Sequence, residues 1–181
     1  GELVMGIRQF VVIVAFSALV GCNHQKSIKT VEYVDIQRFM GDWYVIANIP
    51  TFLEKNAYNP VESYRLDDDG SIATTFSFNA GAMDGEKKSY TPRGFITNTK
   101  TNAEWGMQFI WPIKADYRIV YLDENYQYTV IGRNNLDYVW IMAREPKISE
   151  KMMNELTQFV SSLGYDSSLL ELAPHQMPLG D

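Results

Sequence analysis

The sequence predicts an all-β domain followed by a single C-terminal helix, and two patterns carry that expectation. From position 43, short apolar-alternating runs recur about every ten residues with turn-forming residues between them, the mark of an antiparallel sandwich or barrel. Beyond position 144 the apolar period changes from two to that of one helix face. Composition agrees. The 181 residues include 11 Tyr, 9 Phe and 4 Trp, rings that suit pleated, half-buried surfaces and pocket walls. Alternation alone fits a β-sandwich nearly as well as a barrel, so both stay open at this level.

The chain starts with an address. Residues 10–20, FVVIVAFSALV, are an apolar run preceded by Arg8. That length suits a signal-peptide core and falls short of the roughly 20 residues that span a bilayer. The run leads through Leu19, Val20 and Gly21 into Cys22, the only cysteine. This resembles the lipobox of bacterial lipoproteins, in which the signal is cut before the cysteine and the thiol and new amino group are acylated. Residues 1–21 are thus expected to be a lipoprotein signal peptide, Cys22 the lipidation (palmitate) site and 22–31 a polar tether. Asn23 after the cysteine resembles the sorting pattern for the outer membrane.

Eight runs follow, at 43–49, 61–67, 71–79, 89–97, 103–110, 115–123, 126–133 and 137–144. The segments between them supply Gly, Asn and Asp, which tolerate tight-turn backbone angles. Only the 50–60 connection, with Pro50 and Pro60, is long enough to act as a lid. Ser149 is the expected N-cap of a helix whose apolar face is Met152, Leu156, Phe159, Val160 and Leu163, with Gly164 as its stop. Residues 169–172 offer a ninth strand. The domain is expected over 32–174, and 175–181 reads as a disordered tail.

Three motifs carry a family resemblance. Gly41-Asp42-Trp43-Tyr44 resembles the G-x-W signature of lipocalins. Asp123-Glu124-Asn125-Tyr126 stands where that family has a T-D-Y turn, here with Thr absent and the acid displaced. Residues 138–144 resemble its third motif, a strand ending in arginine ahead of the helix. With the strand count and the helix, the chain resembles a lipocalin over about 31–174, nearest the bacterial outer-membrane members. The resemblance implies an eight-stranded antiparallel up-and-down β-barrel with the helix packed outside. It also implies that Gly41, Trp43 and Arg144 are structural, with Trp43 plugging the closed end under the Arg144 guanidinium, a contact of about 0.5–2 kcal/mol. The implied ligands are fatty acids or lysophospholipids, held for envelope lipid storage, transport or repair. The implied place is the periplasmic face of the outer membrane, reached through lipidated Cys22.

Barrel residues of one parity face inward. If Arg144 does so, Met142, Trp140 and Tyr138 share its side. Alternation groups Ile72, Thr74, Phe76 and Phe78; Trp105, Met107 and Phe109; and Tyr117, Ile119 and Tyr121. The expected ligand-binding set is Phe76, Phe78, Trp105, Phe109, Tyr117, Ile119, Trp140 and Met142. Burying about ten methylenes against such a wall contributes roughly 8 kcal/mol before association costs. Arg65, Arg93, Lys114 and Arg118 are candidate rim handles for an acidic head group.

Other chemistries fit poorly. A net charge of −6 argues against nucleic acid. One cysteine precludes an internal disulfide or a Cys-rich metal site. The only histidines, His24 and His175, lie near the ends, so the barrel lacks the base of Ser-His-Asp or Cys-His sets. The expectation is a binding protein rather than an enzyme, without metal or cofactor. Two alternatives stay open: an envelope structural or interaction protein with a filled barrel, and a lipocalin-fold enzyme acting on a lipid. Homodimer formation is also open.

Overall fold

The computed structural model describes residues 27–176; the expected signal peptide and Cys22 lie outside the described residues. Ten strands follow in order: β1 Gly41–Ile49, β2 Ala57–Leu66, β3 Ile72–Ala80, β4 Lys87–Tyr90, β5 Arg93–Ile96, β6 Glu104–Ile110, β7 Ile113–Leu122, β8 Tyr128–Gly132, β9 Val139–Ala143 and β10 Glu171–Leu172. Helices α1 Ile36–Phe39 and α2 Glu150–Ser162 flank the main run. Neighbours in the sheet run β10-β1-β2-β3-β5-β6-β7-β8-β9, all antiparallel, and β1 also pairs β9. That last pairing closes an eight-stranded up-and-down barrel, with β4 and β10 as extra strands. The sandwich is excluded.

The fourth run splits in two at Thr91-Pro92. Proline has no N–H for the ladder, so β4 pairs one part of β3 (Phe78↔Lys88) and β5 another (Ile72↔Gly94). The Pro92 carbonyl accepts from Thr74 N–H at 3.2 Å. The lid is shorter than expected, 50–56, because β2 starts at Ala57 and absorbs Pro60 beside a bulge between Tyr58 and Val61. Helix α1, unanticipated, is capped by Asp35, which accepts from Arg38 N–H at 3.3 Å.

Two cores hold the fold. The inner one fills the closed half of the barrel with Phe39, Trp43, Tyr64, Trp105 and Ile119. The outer one packs Leu156 and Val160 of α2 on Val130, Val139, Ile141 and Ala143 of β8 and β9. Those strands are therefore apolar on both faces. Ser149 caps α2 by accepting from Met152 N–H at 3.2 Å, and Gly164 follows with φ +103°, a left-handed stop that favours glycine.

One inward assignment is corrected. A register shift between Ile119 and Tyr121 inserts an extra residue, reversing parity. Tyr121 thus leaves the interior and meets Phe159 of α2, ring centroids 5.4 Å apart.

Both ends of the described chain are fastened to the barrel. Val31 N–H donates to Ile119 O and Val34 N–H to Thr101 O, so docking begins within the segment read as tether. β1 pairs β2 only over Gly41–Tyr44. Toward Ile49 its place is taken by β10, with Ala47↔Leu172 and Asn48↔Glu171. Pro174 O accepts from Asn59 N–H at 2.8 Å. His175 Nε2 bonds Val45 O at 2.7 Å, and Gln176 N–H donates to Asn59 Oδ1, so these two residues of the expected tail are docked.

Candidate ligand cavity

The base of the barrel is sealed by one tryptophan and one arginine. Trp43 is fully buried and donates its indole N–H to Phe39 O at 2.9 Å. The Arg144 guanidinium carbon lies 3.8 Å from its ring centroid. Arg144 Nη1 donates to Asp42 O at 2.8 Å, Nη2 to Arg38 O at 2.9 Å and Nε to Tyr126 O at 3.2 Å. One planar fork thus ties α1, the start of β1 and the β7–β8 turn. Burial pulls its pKa down and Asp42 opposes that. Gly41 has φ +93° and its Cα hydrogen faces Arg144 Nη1, 3.5 Å from where a Cβ would sit.

Above this plug lies a floor of rings. Trp105 stacks on Tyr117 at 4.9 Å and 10°, and meets Phe39 and Tyr64 edge-on. The Tyr64 and Tyr117 hydroxyls share a 2.8 Å hydrogen bond. Burial raises both phenol pKa values, so both stay neutral.

Over the floor the barrel is open. A cavity of about 350 Å³ is walled by Phe76, Met107, Ile131, Trp140 and Met142 and reaches the mouth at Phe109 and Tyr138, within the size range of small-molecule sites. Phe52, Leu53 and Glu54 of the lid overhang it. Glu54 fixes that lid: Trp140 Nε1–H donates to its Oε1 at 2.5 Å, and Thr51 N–H to its Oε2 at 2.8 Å. A smaller cleft of about 140 Å³ opens sideways where β10 fills the gap between β1 and β2, and shares Glu54 and Phe76 with the main cavity.

Of the eight residues expected to bind ligand, Phe76, Phe109, Tyr117, Trp140 and Met142 line this space together. The other three do not. Trp105 and Ile119 lie in the packed core below, and Phe78 packs against Phe76 and Tyr90. All three face inward: Trp105 and Ile119 sit in the filled base half, whereas Phe78, toward the mouth end of β3, is taken up by ring packing, and alternation distinguishes none of this.

The four expected cationic handles are corrected. Arg65 and Arg93 pair with Asp67 at 2.9 and 3.0 Å, at the β2–β3 turn by the base. Lys114 lies over the Phe95 ring at 3.9 Å, and Arg118 pairs with Glu104 and Asp116. None lines the cavity. The cation that does is Arg133, whose Nε is 3.4 Å from Asp137 Oδ1. Sequence reasoning also missed three acids, of which Asp116 of β7 is paired with Arg118. Glu54 comes from the lid and Glu62 from β2, where it shares parity with Tyr64. That parity was the available signal. Burial raises the Glu62 pKa well above the usual carboxyl range, and Glu54 raises it further.

The mouth is apolar outside as well as inside. Phe52 is 80% exposed and Trp111 82%, with Ile110 and Ile113 beside Trp111 also exposed. Among the described residues no group of three or more His, Cys, Asp or Glu is placed to hold a metal.

A closed antiparallel cup with a ring-plugged base, a helix on its wall and an apolar cavity at the open end defines the class as a cup-shaped β-barrel. The chain belongs to the lipocalin family: a lipocalin-like domain model matches residues 34–175. It is 32% identical over 144 residues to a putative lipocalin of Acanthamoeba polyphaga mimivirus, covering 74% of this chain and 80% of that one. It is 25% identical over 168 residues to the outer membrane lipoprotein Blc of Vibrio cholerae, covering 91% and 96%. Insecticyanin from the tobacco hornworm Manduca sexta superposes with a TM-score of 0.67 at 15% identity, over 83% and 86% of the two chains.

Proposed function

We propose that this protein is a membrane-anchored binder of single-chain lipids, fatty acids or lysophospholipids, serving envelope lipid storage, transport or repair. The observation that carries the reading is the apolar cavity over a sealed floor, with exposed apolar side chains around its mouth. An alkyl chain entering it exchanges water for Phe76, Met107, Trp140 and Met142. About ten buried methylenes contribute roughly 8 kcal/mol, enough for micromolar affinity after ordering costs. Nothing in this step needs a catalytic group.

The outer membrane fits the likeness to an outer membrane lipoprotein. An anchor at Cys22 also suits the geometry. Ser27 is held on the mouth side of the barrel by Asn134 and Arg118. Four residues lie between it and Cys22, a reach of at most about 18 Å. A lipid there would hold Phe52, Ile110 and Trp111 against the bilayer surface, where aromatic and aliphatic side chains partition readily. Chains could then pass from bilayer to cavity with little exposure to water.

The test is extraction of the full chain from its native membrane, followed by mass spectrometry of the intact complex. A bound single-chain lipid, released unchanged, supports the proposal. Protein free of lipid that also fails to take up added lysophospholipid overturns it.

A further inference from the structure

Glu62 is an anomaly in an otherwise apolar cup. It projects from β2 into the cavity, where it is half-buried. Among the described residues no hydrogen bond or ion pair engages its carboxyl, whereas the Glu54 carboxyl has two donors. A desolvated acid without a partner is costly, and the cost is relieved most by a cation that binds it.

The rest of the wall has the same bias. Glu54 faces Glu62 from the lid, and the neutral Tyr64 and Tyr117 hydroxyls face it from β2 and β7. The one lining cation, Arg133, is at the mouth beside Asp137 and over the Tyr138 ring; Arg144 lies below the floor, bonded to carbonyls. A carboxylate entering the cup would meet three acids, Glu54, Glu62 and the Arg118-paired Asp116, and no available cation. An ammonium would meet an acid that lacks a partner.

We propose that Glu62, seconded by Glu54, is a subsite for the protonated amine of a single-chain amphiphile, so that the cavity takes a long-chain amine in preference to a fatty acid. This rests on the chain-binding reading above and narrows it. In the empty cup burial, seconded by Glu54, shifts Glu62 toward its protonated form. An ammonium entering beside it makes the carboxylate the better state, so that proton leaves to solvent as the N–H···O bond and ion pair form.

The experiment is isothermal calorimetry at pH 7 with decylamine, decanol and decanoate, each below its aggregation threshold, on the wild-type protein and on Glu62→Gln. The glutamine keeps the shape and removes the charge. Decylamine is expected to bind at least tenfold tighter than decanoate. Its heat should change with the ionisation heat of the buffer, reporting proton release. In Glu62→Gln the preference should fall below threefold and the buffer dependence vanish, with decanol unchanged. If all three bind alike to wild type, or if Glu62→Gln keeps the amine preference, the subsite is refuted while the carrier reading stands. If none binds, decanol included, both fail.

Discussion

The seal at the base makes a quantitative prediction. Arg144→Met removes two hydrogen bonds toward solvent, to Asp42 O and Arg38 O, and two part-buried ones, to Tyr126 O and Phe39 O. Bonds to a charged donor contribute about 1.5–3 kcal/mol each when dry. Arg144 is only half-buried, so about 0.5–1 kcal/mol for each outer bond and about 1 for each inner one is the appropriate scale. The stacking on Trp43 adds about 1 kcal/mol. Methionine packing returns part of the total, leaving a loss of about 3–4 kcal/mol. For a domain of this size that is a fall in Tm of roughly 6–16 °C. Urea unfolding followed by far-UV circular dichroism measures it. Arg144→Lys retains the charge but cannot span three segments from one ammonium, so about half the loss should persist. Chain affinity should change less than threefold, because the cavity is on the other side of the floor. A loss below about 1 kcal/mol for Arg144→Met, on the scale of a surface change, would refute the view that this fork holds the base together.

Three further outcomes follow from the same geometry. Trp43→Ala empties a fully buried ring position and should lower stability by about 3–5 kcal/mol in the same assay. The raised Glu62 pKa means the folded state holds that proton more tightly than the unfolded chain. Its contribution is therefore full below the ordinary carboxyl range and is lost as pH rises through the folded value. Glu62→Gln should then gain in Tm over wild type at pH 8 more than at pH 4; an equal gain at both would contradict this. For His175 the sign is opposite: burial depresses its pKa, so the strap it anchors on Val45 is secure above the ordinary imidazole range and loosens on acidification. Amide exchange at Ala173 and Asn59, corrected for intrinsic rates, should quicken between pH 7.5 and 5.5, and not in His175→Gln.

Much of the barrel was legible because its physics is periodic. Alternation in 71–79 gave the faces of β3, and the shift from period two to one helix face gave α2 together with its Ser149 cap. What failed was aperiodic. A single inserted residue after Ile119 turned Tyr121 outward, and no local pattern announces a bulge. Pro92 did announce a break, since it cannot donate to the ladder. Depth was hidden altogether: Trp105 and Trp140 both face inward, yet one is floor and the other wall, because depth follows from the stagger of all the strands. For the same reason Arg65 and Arg93 were read as rim groups and lie at the base. Glu62 is legible only through the inward parity of 61–67, which Tyr64 carries.

The central claim is that an alkyl chain lies against Trp140 above the ring floor. Its most direct test is tryptophan fluorescence during titration with a bromine-labelled single-chain lipid, using Trp111→Phe to silence the exposed rim indole. Trp43 is sealed below the floor and Trp105, within the floor, is covered by Tyr117, so Trp140 is the indole that lines the cavity. The account predicts saturable quenching with a micromolar midpoint, abolished by Trp140→Phe. Quenching that never saturates, or that persists unchanged without Trp140, would contradict it.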